Sequence, residues 1–233
     1  FIIAKLCKVR VNEFAIGFGP TIWKKQGKET KYALRLIPLG GFVSMEGEEE
    51  HSDKEGSFSK ASVWKRIAIV SAGAIVNIIF AIIVFFILAS ILQGNIGYGI
   101  MSTKKFIGSI FESLKMMFTG KVGMNDMIGP VGLGSVVSST TGIADFVYIL
   151  SVISLSLGVT NLLPIPALDG GKILILLIEA IRRKPMKEDL EIKIQMLGFA
   201  FLITLSLIVT YVRKKCKPLF DFLPGTLDKH LFW

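Results

Sequence analysis

The stretch that most constrains this chain is Ser154–Lys172, SLSLGVTNLLPIPALDGGK, set inside an apolar run from Phe146 to Ile181. The run is long enough to enter a bilayer as helix, but its middle is written against helix. Pro164 and Pro166 lack backbone donors and push the residues before them towards extended backbone, while Gly170 and Gly171 permit almost any backbone angle. Broken backbone at membrane depth is tolerated only where protein or a water-filled cavity surrounds it. Asp169 places a carboxylate at the break, a costly group there unless it is paired, protonated or bound to a metal. Three readings follow. Asp169 caps a helix beginning at Gly170, or it is a ligand of an intramembrane metal, or it relays protons in a small transporter. The relay would want a paired intramembrane charge or an internal repeat, and the sequence offers neither.

The rest of the chain fits a membrane setting. Of its 233 residues 52 % are hydrophobic and 19 % charged, which points to an α-helical polytopic membrane protein rather than a soluble domain. The net charge of +9 is read as basic flanks of membrane helices. No nucleic-acid partner is expected, because no recognition motif is present and aromatics do not interleave with the basic residues. Cys7 and Cys216 match no ligand spacing and no disulfide framework, so both are read as isolated thiols.

In chain order, residues 1–7 (FIIAKLC) read as the last turns of an apolar helix. Residues 8–64 form a β-loop region. Alternation in Lys31–Pro38 and turn chemistry at Gln26-Gly27-Lys28 predict a hairpin, and Gly40-Gly41 opens a second short strand, Phe42–Met45. His51 lies in the charged loop that follows and reads as a surface histidine. Residues 65–93 read as a transmembrane helix, uncharged from Ile67 to Leu92, with a small, polar patch (Ser71, Ala72, Gly73, Ala74, Asn77) suited to close packing or, at Asn77, to lying near a cleft. Residues 94–145 are a linker, Gly94–Gly99, and an interfacial helix, Lys104–Phe118. Then come a membrane segment over 146–181, a basic loop over 182–193, a last transmembrane helix over 194–212 and a tail over 213–233, with His230 a bystander. Basic residues put 1–66 and 182–193 on the cytoplasmic side and 93–145 outside, although Arg213–Lys217 then falls outside against the rule.

The wording of the break is more specific than its composition. Asn161-Leu162-Leu163-Pro164-Ile165-Pro166-Ala167-Leu168-Asp169-Gly170-Gly171 resembles the NxxPxPxLDGG signature of site-2 proteases, the zinc-dependent intramembrane metalloproteases of peptidase family M50. Three further stretches resemble the family: GFGP (17–20) with PLGGFVSM (38–45), the AGxxxN pattern ending at Asn77, and Gly129-Pro130-Val131-Gly132. The resemblance covers nearly all of residues 1–212. It implies a site-2 protease-like transmembrane core with a small membrane-associated β-loop, in a multi-pass protein of the bacterial cytoplasmic membrane. It implies that Asp169 is the third ligand of one zinc ion. Two histidines and a glutamate base on an HExxH helix would complete the site. The zinc would lower the pKa of a bound water, the glutamate would take its proton, and hydroxide would attack a peptide bond of a transmembrane substrate, for instance of anti-sigma-factor type.

By the same resemblance, Asn161, Pro164 and Pro166 would hold the unwound substrate strand. Gly40, Gly41, Phe42 and Val43 would offer it an edge to pair with. The 233 residues contain no HExxH, and the resemblance places that motif just upstream of Phe1. These residues alone are therefore expected to bind zinc weakly or not at all and to be inactive by themselves. The family's extracytoplasmic PDZ domain is also expected to be absent. The alternative is a non-catalytic, truncated membrane protein that binds helices or regulates an intact protease.

Overall fold

The computed structural model describes residues 1–48, 52–119, 137, 142–184 and 186–220. His51, the Gly129–Gly132 segment and His230 lie outside the described residues. The elements in order are α1 (Ile2–Leu6), β1 (Val11–Gln26), β2 (Lys31–Met45), α2 (Val63–Gln93), α3 (Ile96–Phe118), α4 (Ile143–Asn161), α5 (Asp169–Arg182) and α6 (Glu188–Phe220). Three helices are long and apolar enough to cross a membrane: Val63–Gln93, Ile143–Asn161 and Asp189–Tyr211. Their apolar side chains, such as Ile79, Ile83 and Leu207, stay largely exposed, which suits a lipid surround. The fold is that of a mostly helical membrane protein carrying one small sheet.

The described residues divide into two compact units. The first is drawn from the described residues of 1–77 and 157–197, the second from those of 78–156 and 198–220. In the first, β1 and β2 form one bent sheet. Thr21–Gln26 pairs with Lys31–Arg35 across a turn closed by the Gly27 amide donating to the Thr30 carbonyl (2.9 Å). Residues 13–16 lie between two neighbours: Glu13–Ile16 is in register with Lys31–Leu34 on one side and with Ser44–Gly41 on the other. Glu13 fastens this middle segment, accepting from Arg35 at 2.7 Å and from Lys31 at 3.2 Å, and the Arg35 guanidinium holds its carboxyl below the usual range. The expected break at Gly40-Gly41 does not occur, and β2 runs unbroken to Met45. Gly41 lets it do so, since a Cβ there would lie 2.5 Å from the Ala15 carbonyl oxygen.

Beneath the sheet, Ala4, Val9, Val11, Met45 and Phe58 form a buried cluster with Val43, Ile69 and Val70 packed against it. Burying a side chain such as Val11 or Phe58 is worth about 1.5–3 kcal/mol. The cluster therefore fixes the end of β2 to α1, to the 46–62 loop and to the foot of α2.

In the second unit the rings of Phe85 and Phe106 stack 4.1 Å apart, with Tyr148 6.0 and 6.5 Å from them. Helix α3 starts at Ile96, earlier than the Lys104 expected from sequence. Asn95 Oδ1 accepts from the amides of Gly97 (2.7 Å) and Tyr98 (3.3 Å), an N-cap that starts the helix at Ile96 in spite of Gly97 and Gly99. The basic loop is also shorter than the 182–193 expected, because α6 begins at Glu188.

Candidate active site

The site grows from the end of α4. Asn161 is its last residue, and the chain then turns tightly, with Leu162 and Leu163 donating to the carbonyls of Val159 and Thr160. Pro164 and Pro166, which have no amide to place, lie exposed on the outside of the turn. Ala167 adopts φ +74°, a left-handed conformation that costs a non-glycine residue about 1–2 kcal/mol. Leu168 then serves as the N-cap of α5 with φ −103° and ψ 163°, and no side chain bonds to the helix end.

Asp169 is therefore the first residue of α5 and not its cap. The capping reading fails on this point. Its half-buried carboxylate sits where the helix dipole favours negative charge and where backbone donors face an anion. Gly170 and Gly171 are buried behind it, and the space is fully used. A Cβ on Gly170 would collide with the carbonyl oxygens of Leu162 and Leu163, and one on Gly171 with that of Ile165. The paired glycines are thus required by close approach of α5 to the turn. That approach sets where Asp169 stands.

Two charged contacts hold α5 along its length. Lys172 Nζ is 3.4 Å from Glu48 Oε1 and 5.3 Å from the centre of the Phe58 ring. Near the other end, Glu179 is only 6 % exposed and pairs with Arg66 of α2 at 2.7 Å, while its second oxygen accepts from the Met186 amide at 2.7 Å. Sequence reasoning missed Lys172, Glu179, Arg66 and Glu48. A lone glutamate in ILILLIEAI was the available signal, since a charge in an apolar helix wants a partner.

The other expected residues fall at a second place in the same unit. Gly41, Phe42 and Val43 pair with Ile16, Ala15 and Phe14, and among the described residues no strand pairs with their outer side. Among the described residues this is therefore a sheet edge with no partner strand. The Phe42 ring is turned to Arg35, whose guanidinium carbon is 4.8 Å from its centre. Gly40 lies next along the strand. Asn77, partly buried on α2, belongs to the first unit as well.

An aspartate oxygen is an accepted zinc donor. Among the described residues, however, no three His, Cys, Asp or Glu side chains converge on a point that could hold a metal. These residues offer one candidate donor, Asp169, and do not by themselves complete a zinc site.

The model of peptidase family M50 matches residues 1–205. A protein of Clostridium acetobutylicum described as a candidate zinc metalloprotease is 29 % identical over 306 aligned positions, covering 90 % of each chain. Those 306 positions exceed this chain's 233 residues, so the relative carries residues here unmatched. Zinc metalloprotease RasP of Bacillus licheniformis is 40 % identical over 119 residues, half of this chain and 28 % of its own. The regulator of sigma-W protease RasP of Bacillus subtilis is 40 % identical over 118 residues, with the same coverage. A family match over most of the chain, the Asp169 turn and three apolar helices agree: the chain belongs to peptidase family M50, the intramembrane site-2 proteases.

Proposed function

We propose that the complete protein is a multi-pass enzyme of the bacterial cytoplasmic membrane that cuts a transmembrane segment of another membrane protein, a substrate of the anti-sigma-factor type. The observation that carries this reading is Asp169, a half-buried carboxylate seated by glycine contacts on a turn that interrupts apolar helix. Asp169 contributes one zinc ligand, and the other ligands and the general base belong to residues outside those described. A substrate helix has its backbone groups bonded to one another and must open before any peptide bond can be attacked. The free edge at Gly40–Val43 offers ladder bonds to the strand so released, and Asn161 with the Pro164 and Pro166 backbone holds it beside Asp169. Residues 8–64 and the basic loop face the cytoplasm. The 94–145 connection lies outside and carries no PDZ domain.

The test is cleavage of a lysine-flanked polyleucine peptide with a central Gly-Ser pair, reconstituted with the complete protein in phosphatidylethanolamine–phosphatidylglycerol vesicles. Asp169→Asn is expected to end cleavage and Asn161→Leu to raise KM. Wild-type cleavage by Asp169→Asn would overturn the reading.

A further inference from the structure

We infer that Lys172 is a positioning residue that joins the Asp169 helix to the substrate-pairing edge and so sets which peptide bond is cut. This rests on the site proposed above and asks what fixes the distance between its two halves. Lys172 stands one turn after Asp169 on α5, so holding its head group restrains the helix that carries the carboxylate. Both of its contacts end on the continuation of β2. Glu48, 3.4 Å away, follows Met45 by three residues. Phe58, whose ring lies 5.3 Å below the ammonium, is buried in the cluster with Met45 and donates its amide to the Glu46 carbonyl at 2.7 Å. The Lys172 and Glu48 side chains are 21 % and 25 % exposed, so the pair is partly desolvated and less screened than a surface pair.

The consequence is a fixed register. A strand paired with Gly41–Val43 can place a given peptide bond at Asp169 only if β2 and α5 keep their spacing, and a one-residue slip turns every side chain to the opposite face. Lys172 and its two contacts are a strut across that spacing. The strut acts on alignment rather than on affinity, because the ladder bonds that hold the strand belong to β2 alone.

The experiment uses the complete protein in the same vesicles with the same polyleucine peptide, reading product masses, KM and kcat per folded enzyme. Lys172→Met and Glu48→Gln are each expected to spread the cut over neighbouring bonds and to lower kcat about 10-fold to 100-fold, with KM within about 2-fold. The exchanged pair Lys172→Glu with Glu48→Lys should restore the single cut. A merely structural contact would lower the folded fraction without moving the cut. Unchanged product masses and kcat in both single variants, with Asp169→Asn inactive, overturn the strut; cleavage by Asp169→Asn overturns the site itself. Should the wild type leave the peptide intact, hydrogen exchange reads the strut directly. Lys172→Met then raises exchange at Phe42–Met45 and Gly171–Ile173 together, and unchanged exchange at both overturns it.

Discussion

Helix α2 and the 161–171 turn are built largely from the same apolar and small residues and solve opposite problems. Along α2 the backbone satisfies itself and the side chains are left outward, so that only 11 % of its most apolar window is buried by protein. In the turn the helix is given up, a carboxylate is introduced, and both glycines are pressed against carbonyls. Gly73 of α2 would meet nothing within 4 Å if it gained a Cβ, whereas Gly170 would collide with two carbonyl oxygens. A membrane chain can thus be permissive where lipid covers it and exacting where it covers its own chemistry.

The sharpest way to break this contrast is to cut the tie between α2 and α5, the helix that the turn leads into. Glu179→Ala leaves the partly buried Arg66 without its partner and frees the Met186 amide, and is expected to cost about 3 kcal/mol. Thermal unfolding in detergent measures it, and a loss under about 1 kcal/mol would show the pair to be solvated. The glycines give a paired test of the next size. Gly170→Ala is expected to cost about 3 kcal/mol through overpacking against backbone, while Gly73→Ala should gain about 1 kcal/mol from helix propensity. Equal effects at the two positions would erase the contrast.

The smallest effect lies outside the membrane. Glu46 accepts from Ser52 Oγ (2.8 Å) and Asn12 Nδ2 (3.0 Å) and pairs with Lys54 (3.0 Å), which together hold its carboxyl down to about 2. A carboxylate lowered from the ordinary 4.5 contributes stability that is fully present above pH 4.5 and is lost as pH falls towards 2. Limited proteolysis of the 46–60 loop should therefore quicken across that window, and Glu46→Gln should flatten the dependence. A wild-type loop equally resistant at both ends of the window would contradict it.

Much of this was legible in the sequence, for local reasons. The prolines and paired glycines announced the break, and uncharged apolar runs announced the helices. The misses have local causes too. Gly94–Gly99 read as linker because the Asn95 cap acts through a side chain that composition cannot orient. Gly40-Gly41 read as a strand boundary, although close approach to Ala15 was what the glycine was for. The ties that place the site were not legible at all. Lys172 and Glu48 are 124 residues apart and Arg66 and Glu179 113, and no short-range pattern carries such pairs.

Everything proposed for the site depends on Asp169 being a metal ligand. Zinc content of the purified complete protein, wild type against Asp169→Ala, tests it most directly. The account predicts about one zinc per chain in the wild type, lost in the variant. Zinc retained by Asp169→Ala, or zinc absent from both, would contradict it and leave Asp169 as the first residue of a structural helix.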